Sequence, residues 1–181
     1  MWIWIVVIAA SVLIDQISKL LVVRFLAEVG SVDVIPGIFR FTYVENRGAA
    51  FGMLSEHRWV FMVLSTVAIV ALLVYLWKFR PASPLACTAL SLIVGGGIGN
   101  MIDRIRLNYV IDFLDFCAFP NLWVWVFNIA DACVCVGAGM LILWCILSMI
   151  QEAKKGKTQP SEEGASDKKE DSEPQTGEED E

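Results

Sequence analysis

The sequence predicts a mainly α-helical membrane protein, with four transmembrane helices and a small extracytoplasmic β-rich subdomain. Three observations predict it. Residues 1–150 hold 100 of the 102 hydrophobic residues in the chain. Within them stand four runs near the ~20 apolar residues that a spanning helix needs. Two of the intervening segments are rich in β-branched and aromatic residues, one of them broken by Pro36-Gly37. Charge is segregated in the same way. The formal net charge of −6 lies wholly in residues 151–181, which hold 11 of the 20 acidic and 5 of the 14 basic residues. The remainder is neutral and too apolar for a soluble globular domain, whose apolar share is about half. No basic patch is present to follow a phosphate backbone, so no nucleic-acid partner is expected.

The first helix is expected at about 1–25, interrupted by Asp15, Gln16 and Lys19. It lacks the basic start and small-residue cleavage site of a signal peptide and is read as a retained span. Segment 27–58 follows outside the membrane. Residues 32–35 and 38–44 flank Pro36-Gly37 and read as two strands around a turn. The loop Asn46-Arg47-Gly48-Ala49-Ala50 comes next and is placed to close over a site as a lid. The second helix, about 59–77, carries no charge. The third, about 85–103, contains Gly95, Gly96, Gly97 and Gly99, small residues that let helices approach closely. Segment 105–121 is again outside, with 107–116 strand-like. The fourth helix is expected at about 122–150. Residues 1–153 thus form one membrane domain. The acidic tail, 154–181, is too polar to fold and is expected to be disordered and cytoplasmic.

Orientation follows from Lys and Arg near the helix ends. Lys78 and Arg80 occupy one short loop, and Lys154, Lys155 and Lys157 follow the fourth helix. Both stretches are expected in the cytoplasm, with both termini inside and segments 27–58 and 105–121 outside.

On that topology the unusual polar residues share one depth. Asp15 and Lys19, four apart, lie on one helix face. Asn100, Asp103 and Arg104 end the third helix; Asn128 and Asp131 fall within the first two turns of the fourth; Asn46 and Asp112 lie in the outer segments. The inner half of the spans is nearly bare. Plainer readings exist for most of them. Asp15 with Lys19 makes an ion pair that pins helices, Asp103 and Arg104 suit interfacial snorkelling, and Asn128 suits an interhelical hydrogen bond. Asp131 resists such a reading: no basic residue follows it in its helix, and an isolated carboxylate in hydrocarbon must take up a proton or find a partner.

Elimination narrows the chemistry. A single histidine, His57, excludes a HExxH site, and Cys87, Cys117, Cys133, Cys135 and Cys145 fit no metal spacing. The cysteines read as small hydrophobes rather than a disulfide framework. No metal or cofactor is expected. No GxSxG elbow is present, and Ser18 points away from Lys19. Carboxylates remain. Two aspartates sharing one proton can activate water and protonate a leaving group. Asp131 then needs a partner from Asp103, Asp112 or Asp115, Asp15 being less suited because Lys19 neutralises it. Spacing does not choose among them. A proton-coupled transporter would use the same acids but needs polar groups through the full membrane depth. A non-catalytic subunit would tolerate asparagine at Asp112 or Asp131.

Five motifs carry a resemblance. They are Asp15-Gln16-Ile17-Ser18-Lys19, Val44-Glu45-Asn46-Arg47-Gly48-Ala49-Ala50-Phe51-Gly52, Gly99-Asn100-Met101-Ile102-Asp103-Arg104, Val110-Ile111-Asp112-Phe113 and Phe127-Asn128-Ile129-Ala130-Asp131. In this order they resemble the bacterial lipoprotein signal peptidases (signal peptidase II). The resemblance implies a four-span aspartic endopeptidase of the bacterial plasma (inner) membrane, without a cofactor. Such an enzyme cuts diacylglyceryl-modified prolipoproteins just before the lipidated cysteine. It implies Asp112 and Asp131 as the catalytic pair. Asn46, Gly48, Asn100, Asp103, Arg104 and Asn128 match positions that support the pair or hold substrate, and Asp15 and Lys19 match structural polar positions near the site. Lipidated prolipoproteins and membrane lipids are the implied partners, and a monomer is expected. Two features depart from the pattern: the long acidic tail, and the aromatic stretch 121–126, where Trp123 and Trp125 suit an interfacial belt or a substrate groove.

Overall fold

A computed structural model describes residues 2–48, 58–118 and 125–156. The elements in chain order are α1 (Trp2–Leu26), β1 (Ser31–Ile35), β2 (Phe39–Asn46), α2 (Arg58–Phe79), α3 (Pro84–Arg106), β3 (Val110–Phe116), β4 (Val126–Phe127) and α4 (Ile129–Gly156). The chain forms two units. Met1–Cys145 holds α1–α3, the sheet and most of α4; of Ile146–Glu181, only the end of α4 lies within the described residues. The loop residues Ala49 and Ala50, Trp123 and the tail from 157 lie outside them.

All four helices are long and apolar enough to cross a membrane. The 25 residues of α1 reach about 37 Å at 1.5 Å per residue, more than a hydrocarbon core of about 30 Å. The protein is a multi-pass membrane protein with four candidate spans. Burial separates the helices: 56% of the span in α3 is buried, against 17% in α1 and 6% in each of α2 and α4. The third helix is therefore the central post, and the others expose leucine, valine and isoleucine around it.

The glycines of α3 explain how one helix touches three others. Successive residues turn 100°, so Gly95, Gly96 and Gly97 point three ways. A β-carbon on Gly95 would meet Ser11 of α1, one on Gly96 the Ala130 backbone and Val134 of α4, and one on Gly97 Ile69 of α2. Gly137 of α4 returns the contact, lying against the Ala89 carbonyl and Ile93 of α3. In lipid, with no hydrophobic force between helices, such close approach is what packing consists of.

The sheet caps one end of this bundle. Its order is β1-β2-β3-β4, antiparallel throughout. Pro36 and Gly37 form the first turn. Ile38 N–H donates to the Ile35 carbonyl at 3.0 Å, and Gly37 has φ 74°. Proline followed by a positive-φ glycine is what a type II turn requires. Rings run Phe41–Phe39–Phe116–Phe127 across β2, β3 and β4, with centroids 5.3, 5.0 and 5.7 Å apart. The edge strand β1 is exposed along its length, whereas β3 is buried at five of its seven positions. The site is built on β3.

The start of the fourth helix differs from expectation. The apolar run suggests about residue 122, but Val126 and Phe127 pair with Asp115 and Leu114 as β4, and helix begins only at Ile129. The reason is a capping box. Asn128 Oδ1 accepts from Asp131 N–H at 2.9 Å, and Asp131 Oδ2 accepts from Asn128 N–H at 3.3 Å. Asn128 thus caps the helix instead of lying inside it, and Asp131 is in its first turn.

Candidate active site

The buried side chains invert the pattern of a soluble core. Lys19 is the largest fully buried side chain, followed closely by Val94, Asn128 and Asp15. Asp103, Asp112 and Asn100 are buried with them. Among the described residues no buried side-chain nitrogen or oxygen lacks a partner. Satisfaction is obligatory here, because an unpaired polar group in such surroundings costs about 1–3 kcal/mol and a charged one more.

Lys19 anchors the network. Its Nζ lies 2.9 Å from Asp15 Oδ2, 2.9 Å from Asp103 Oδ2 and 2.9 Å from Asn100 Oδ1. Three ammonium hydrogens meet three acceptors. The expected Asp15–Lys19 pair is present, and Asp103 joins it from α3. Asp15 also reaches α4, its Oδ1 accepting from Ala130 N–H at 2.9 Å. Ala130 lies in the first turn, where N–H groups have no partner within their own helix. Asp103 reaches β3 through Ile111 N–H, 3.2 Å from its Oδ2.

Three asparagines then converge on two carboxylates, each with its amide oxygen occupied and its NH₂ donating to an aspartate; the Asn128 NH₂ also reaches Asn100 Oδ1 at 3.1 Å and the Ile111 carbonyl at 3.3 Å. Asn46 Oδ1 accepts from Gly48 N–H at 3.1 Å, and its Nδ2 donates to Asp112 Oδ2 at 2.8 Å. Asn100 Oδ1 faces Lys19, and its Nδ2 donates to Asp131 Oδ1 at 2.7 Å. Asn128 Oδ1 caps α4 at Asp131 N–H, and its Nδ2 donates to Asp112 Oδ1 at 2.6 Å. Arg104 Nη1 donates to the Asn100 carbonyl at 3.3 Å, and the guanidinium feels the charges of Asp131, Asp112 and Asp103.

Asp112 and Asp131 are therefore joined through Asn128, one from a strand and one from a helix start. The other candidates are placed elsewhere. Asp115, three residues along β3 and so on its opposite face, binds Arg40 Nε at 2.6 Å and Thr42 Oγ1 at 2.9 Å. Both oxygens of Asp103 are engaged by Lys19, Ile111 and Gln16. Asp15 is held by Lys19 and Ala130. Burial pushes the Asp112 carboxyl up to about 7; the Asn46 donor opposes the rise, the nearby Asp131 charge adds to it, and the Asn128 donor and Lys19 oppose it. A carboxyl poised near neutrality beside a second carboxyl can hold and release one shared proton, the requirement for acid–base work on a carbonyl.

The sequence reading missed Gln16 as a working part. Its Nε2 lies 3.0 Å from Asp103 Oδ1 and 3.2 Å from the Gly99 carbonyl oxygen, tying α1 to α3. The available signal was an amide between two ionisable residues within a span, where polar groups are rare.

The model of the family described as Signal peptidase (SPase) II matches residues 7–147. The chain is 45% identical over 139 residues to the lipoprotein signal peptidase of Halothermothrix orenii, covering 77% of this chain and 92% of that one. It is 46% identical over 137 residues to the lipoprotein signal peptidase of Caldanaerobacter subterraneus subsp. tengcongensis, covering 76% and 91%. A bacterial membrane enzyme solved by the in meso method at 2.3 Å resolution superposes with a TM-score of 0.73 at 27% identity, over 88% of this chain and 94% of that one. With four long apolar helices, an antiparallel sheet and a match spanning most of its length, the chain belongs to the signal peptidase II family of membrane aspartic peptidases.

Proposed function

We propose that Asp112 and Asp131 are the catalytic pair of this aspartic peptidase, which removes signal peptides from prolipoproteins. The substrate is a membrane-embedded signal helix cut just before a diacylglyceryl-modified cysteine. One aspartate, ionised, takes a proton from water as the water oxygen bonds to the scissile carbonyl carbon. The other, protonated, donates a hydrogen bond to the carbonyl oxygen. When the C–N bond breaks, the leaving amine takes up a proton from the pair. Asn46 and Asn128 orient Asp112, Asn100 orients Asp131, and Gly48 fixes the Asn46 amide. Arg104 supplies a cation facing the pair and substrate. Asp15, Lys19 and Asp103 hold α1, α3, β3 and α4 in register around it. No cofactor takes part in this scheme.

The single observation that carries the reading is Asn128, one residue that donates to both carboxylates: its side-chain NH₂ to Asp112 Oδ1 at 2.6 Å and its backbone N–H to Asp131 Oδ2 at 3.3 Å. Cleavage of a diacylglyceryl-modified prolipoprotein by purified wild type, Asp112→Asn and Asp131→Asn tests it. Each substitution is expected to lower kcat by about a thousandfold or more, since neither amide can accept the proton from water. Retained turnover in either folded variant would remove the pair from the mechanism.

The protein works as a monomer in the bacterial plasma membrane, with both termini cytoplasmic and the sheet outside. The scissile bond then lies toward the extracytoplasmic leaflet. The substrate's acyl chains add about 0.8 kcal/mol of burial per CH₂, which localises the cysteine at that depth. Residues 1–153 carry the reaction, and the tail from 154 takes no part in it.

A further inference from the structure

Gln16 stands beside the network without belonging to the pair or its asparagines. Its Nε2 lies 3.0 Å from Asp103 Oδ1, 3.2 Å from Asp15 Oδ2 and 3.2 Å from the Gly99 carbonyl oxygen. Two N–H groups thus serve three acceptors. Lys19 bridges the same two carboxylates, at 2.9 Å from Asp15 Oδ2 and 2.9 Å from Asp103 Oδ2. The Asp103 carboxylate is therefore held at both ends, Oδ1 by the amide and Oδ2 by the ammonium. That second oxygen also receives Ile111 N–H at 3.2 Å. Ile111 immediately precedes Asp112 in β3.

We propose that Gln16 is a positioning residue for the peptidase reaction: its amide holds Asp103 in the orientation that anchors β3 at Ile111 and so sets the place of Asp112. The inference rests on Asp112 being one of the catalytic pair. Gln16 matters as a supplier of donors. Without the Gln16 amide, Asp103 Oδ1 loses its side-chain donor in a buried site, where an unmatched carboxylate oxygen is costly. The carboxylate then turns to give both oxygens to Lys19, and Ile111 N–H loses its acceptor. A neutral donor is also what the charge balance allows. Asp15 and Asp103 already outnumber Lys19 between them, so a third anion at position 16 would face two carboxylates.

The test compares Gln16→Met, Gln16→Glu, Asp103→Asn and the double variant Gln16→Met/Asp103→Asn in the full-length purified protein, assayed on a diacylglyceryl-modified prolipoprotein. Gln16→Met is expected to lower kcat about tenfold with KM within about twofold, because the amide acts on the reacting geometry and not on substrate affinity. Gln16→Glu, although isosteric, is expected to be slower than Gln16→Met. The double variant is expected to be no slower than Asp103→Asn alone, since Gln16 acts through Asp103. Three results would overturn the proposal: Gln16→Met within about twofold of wild type in kcat, Gln16→Glu faster than Gln16→Met as for a side chain that only fills space, or full additivity in the double variant. Should Gln16→Glu fail to accumulate, Gln16→Met and the double-variant cycle decide. Asp112→Asn runs alongside. Turnover retained there defeats the pair itself, whereas its loss together with normal Gln16 variants defeats only the positioning role.

Discussion

Asn46, Asn100 and Asn128 show why asparagine is the recurring residue of this site. An amide whose oxygen is occupied is held in one orientation, so each residue converts a backbone or lysine contact into a directed donor. The consequence for Asp112 is testable through pH. Its carboxyl lies at about 7, against an ordinary value of 3.8, chiefly through burial. For a raised acid the sign is fixed: the stability it contributes is complete below about 3.8 and is lost as pH rises through about 7. With Asp112 and Asp131 as the proposed pair sharing one proton, kcat/KM should fall as pH rises past about 7, with a limb belonging to the pair rather than to either member. Asn46 donates to the ionised form and holds the value down. Asn46→Ala should therefore slow the enzyme and also move the alkaline limb upward by roughly one pH unit. A pH–rate profile checks both parts, and a downward move would contradict the assigned role of the Asn46 amide. The residue types of this site were legible in the sequence. Which aspartate lies beside Asp131 was not, because spacing could not tell Asp103, Asp112 and Asp115 apart. The strand alternation that turns Asp115 toward Arg40 and the ion pair that occupies Asp103 are tertiary facts.

Among the helices, the decisive feature is how closely backbones approach at α3. A β-carbon on Gly99 would stand 2.6 Å from Asp15 Oδ2, the oxygen that Lys19 holds. Gly99→Ala must therefore push Asp15 aside, loosening its grip on Ala130 N–H and on the start of α4 that carries Asp131. Overpacking of this kind costs about 1–3 kcal/mol. Gly99→Ala is expected to lower the midpoint of thermal unfolding and to reduce kcat at least about tenfold. Gly139 is the control: nothing lies within 4 Å of its added β-carbon, so Gly139→Ala should keep kcat and leave the midpoint unchanged or raised, alanine being the better helix former by up to about 1 kcal/mol. An equal loss at the two glycines would show that the Asp15 contact does not govern Gly99. The glycine run announced close packing in the sequence, and the three spans ahead of the fourth were plain from their apolar length. Where α4 begins was hidden, because residues 126–127 are as apolar as the helix that follows, and hydropathy does not register a capping box. Asn128-Ile129-Ala130-Asp131 carried that signal in its local spacing.

At the scale of the whole molecule, polarity is arranged along one axis. Buried Asp15, Lys19, Asn100, Asp103, Asp112 and Asn128 lie where α1, α3 and α4 meet β3, whereas Ser11 and Ser91 bond to the carbonyls of Val7 and Cys87 in their own helices. A charged network is tolerable in a bilayer only where its members satisfy one another and open to water at an interface. The sheet therefore marks the aqueous face of the site, and the basic loop at Lys78 and Arg80 marks the opposite side. Labelling of introduced cysteines by a membrane-impermeant reagent in intact cells should reach position 45 and leave position 80 protected. The reverse would place the site on the cytoplasmic side, where a signal helix entering from the translocated face could not present its cysteine. The charge of the chain provides the companion test. All of the −6 belongs to residues 151–181, while the nine acids and nine bases before them balance and include the entire site network. Ending the chain after residue 153 removes most of that charge without touching any partner of Asp112 or Asp131. The truncated enzyme should keep kcat/KM within about twofold of the full chain. A loss much larger than that would mean that the tail's charge acts on the site, and the division of labour between residues 1–153 and the rest would have to be redrawn.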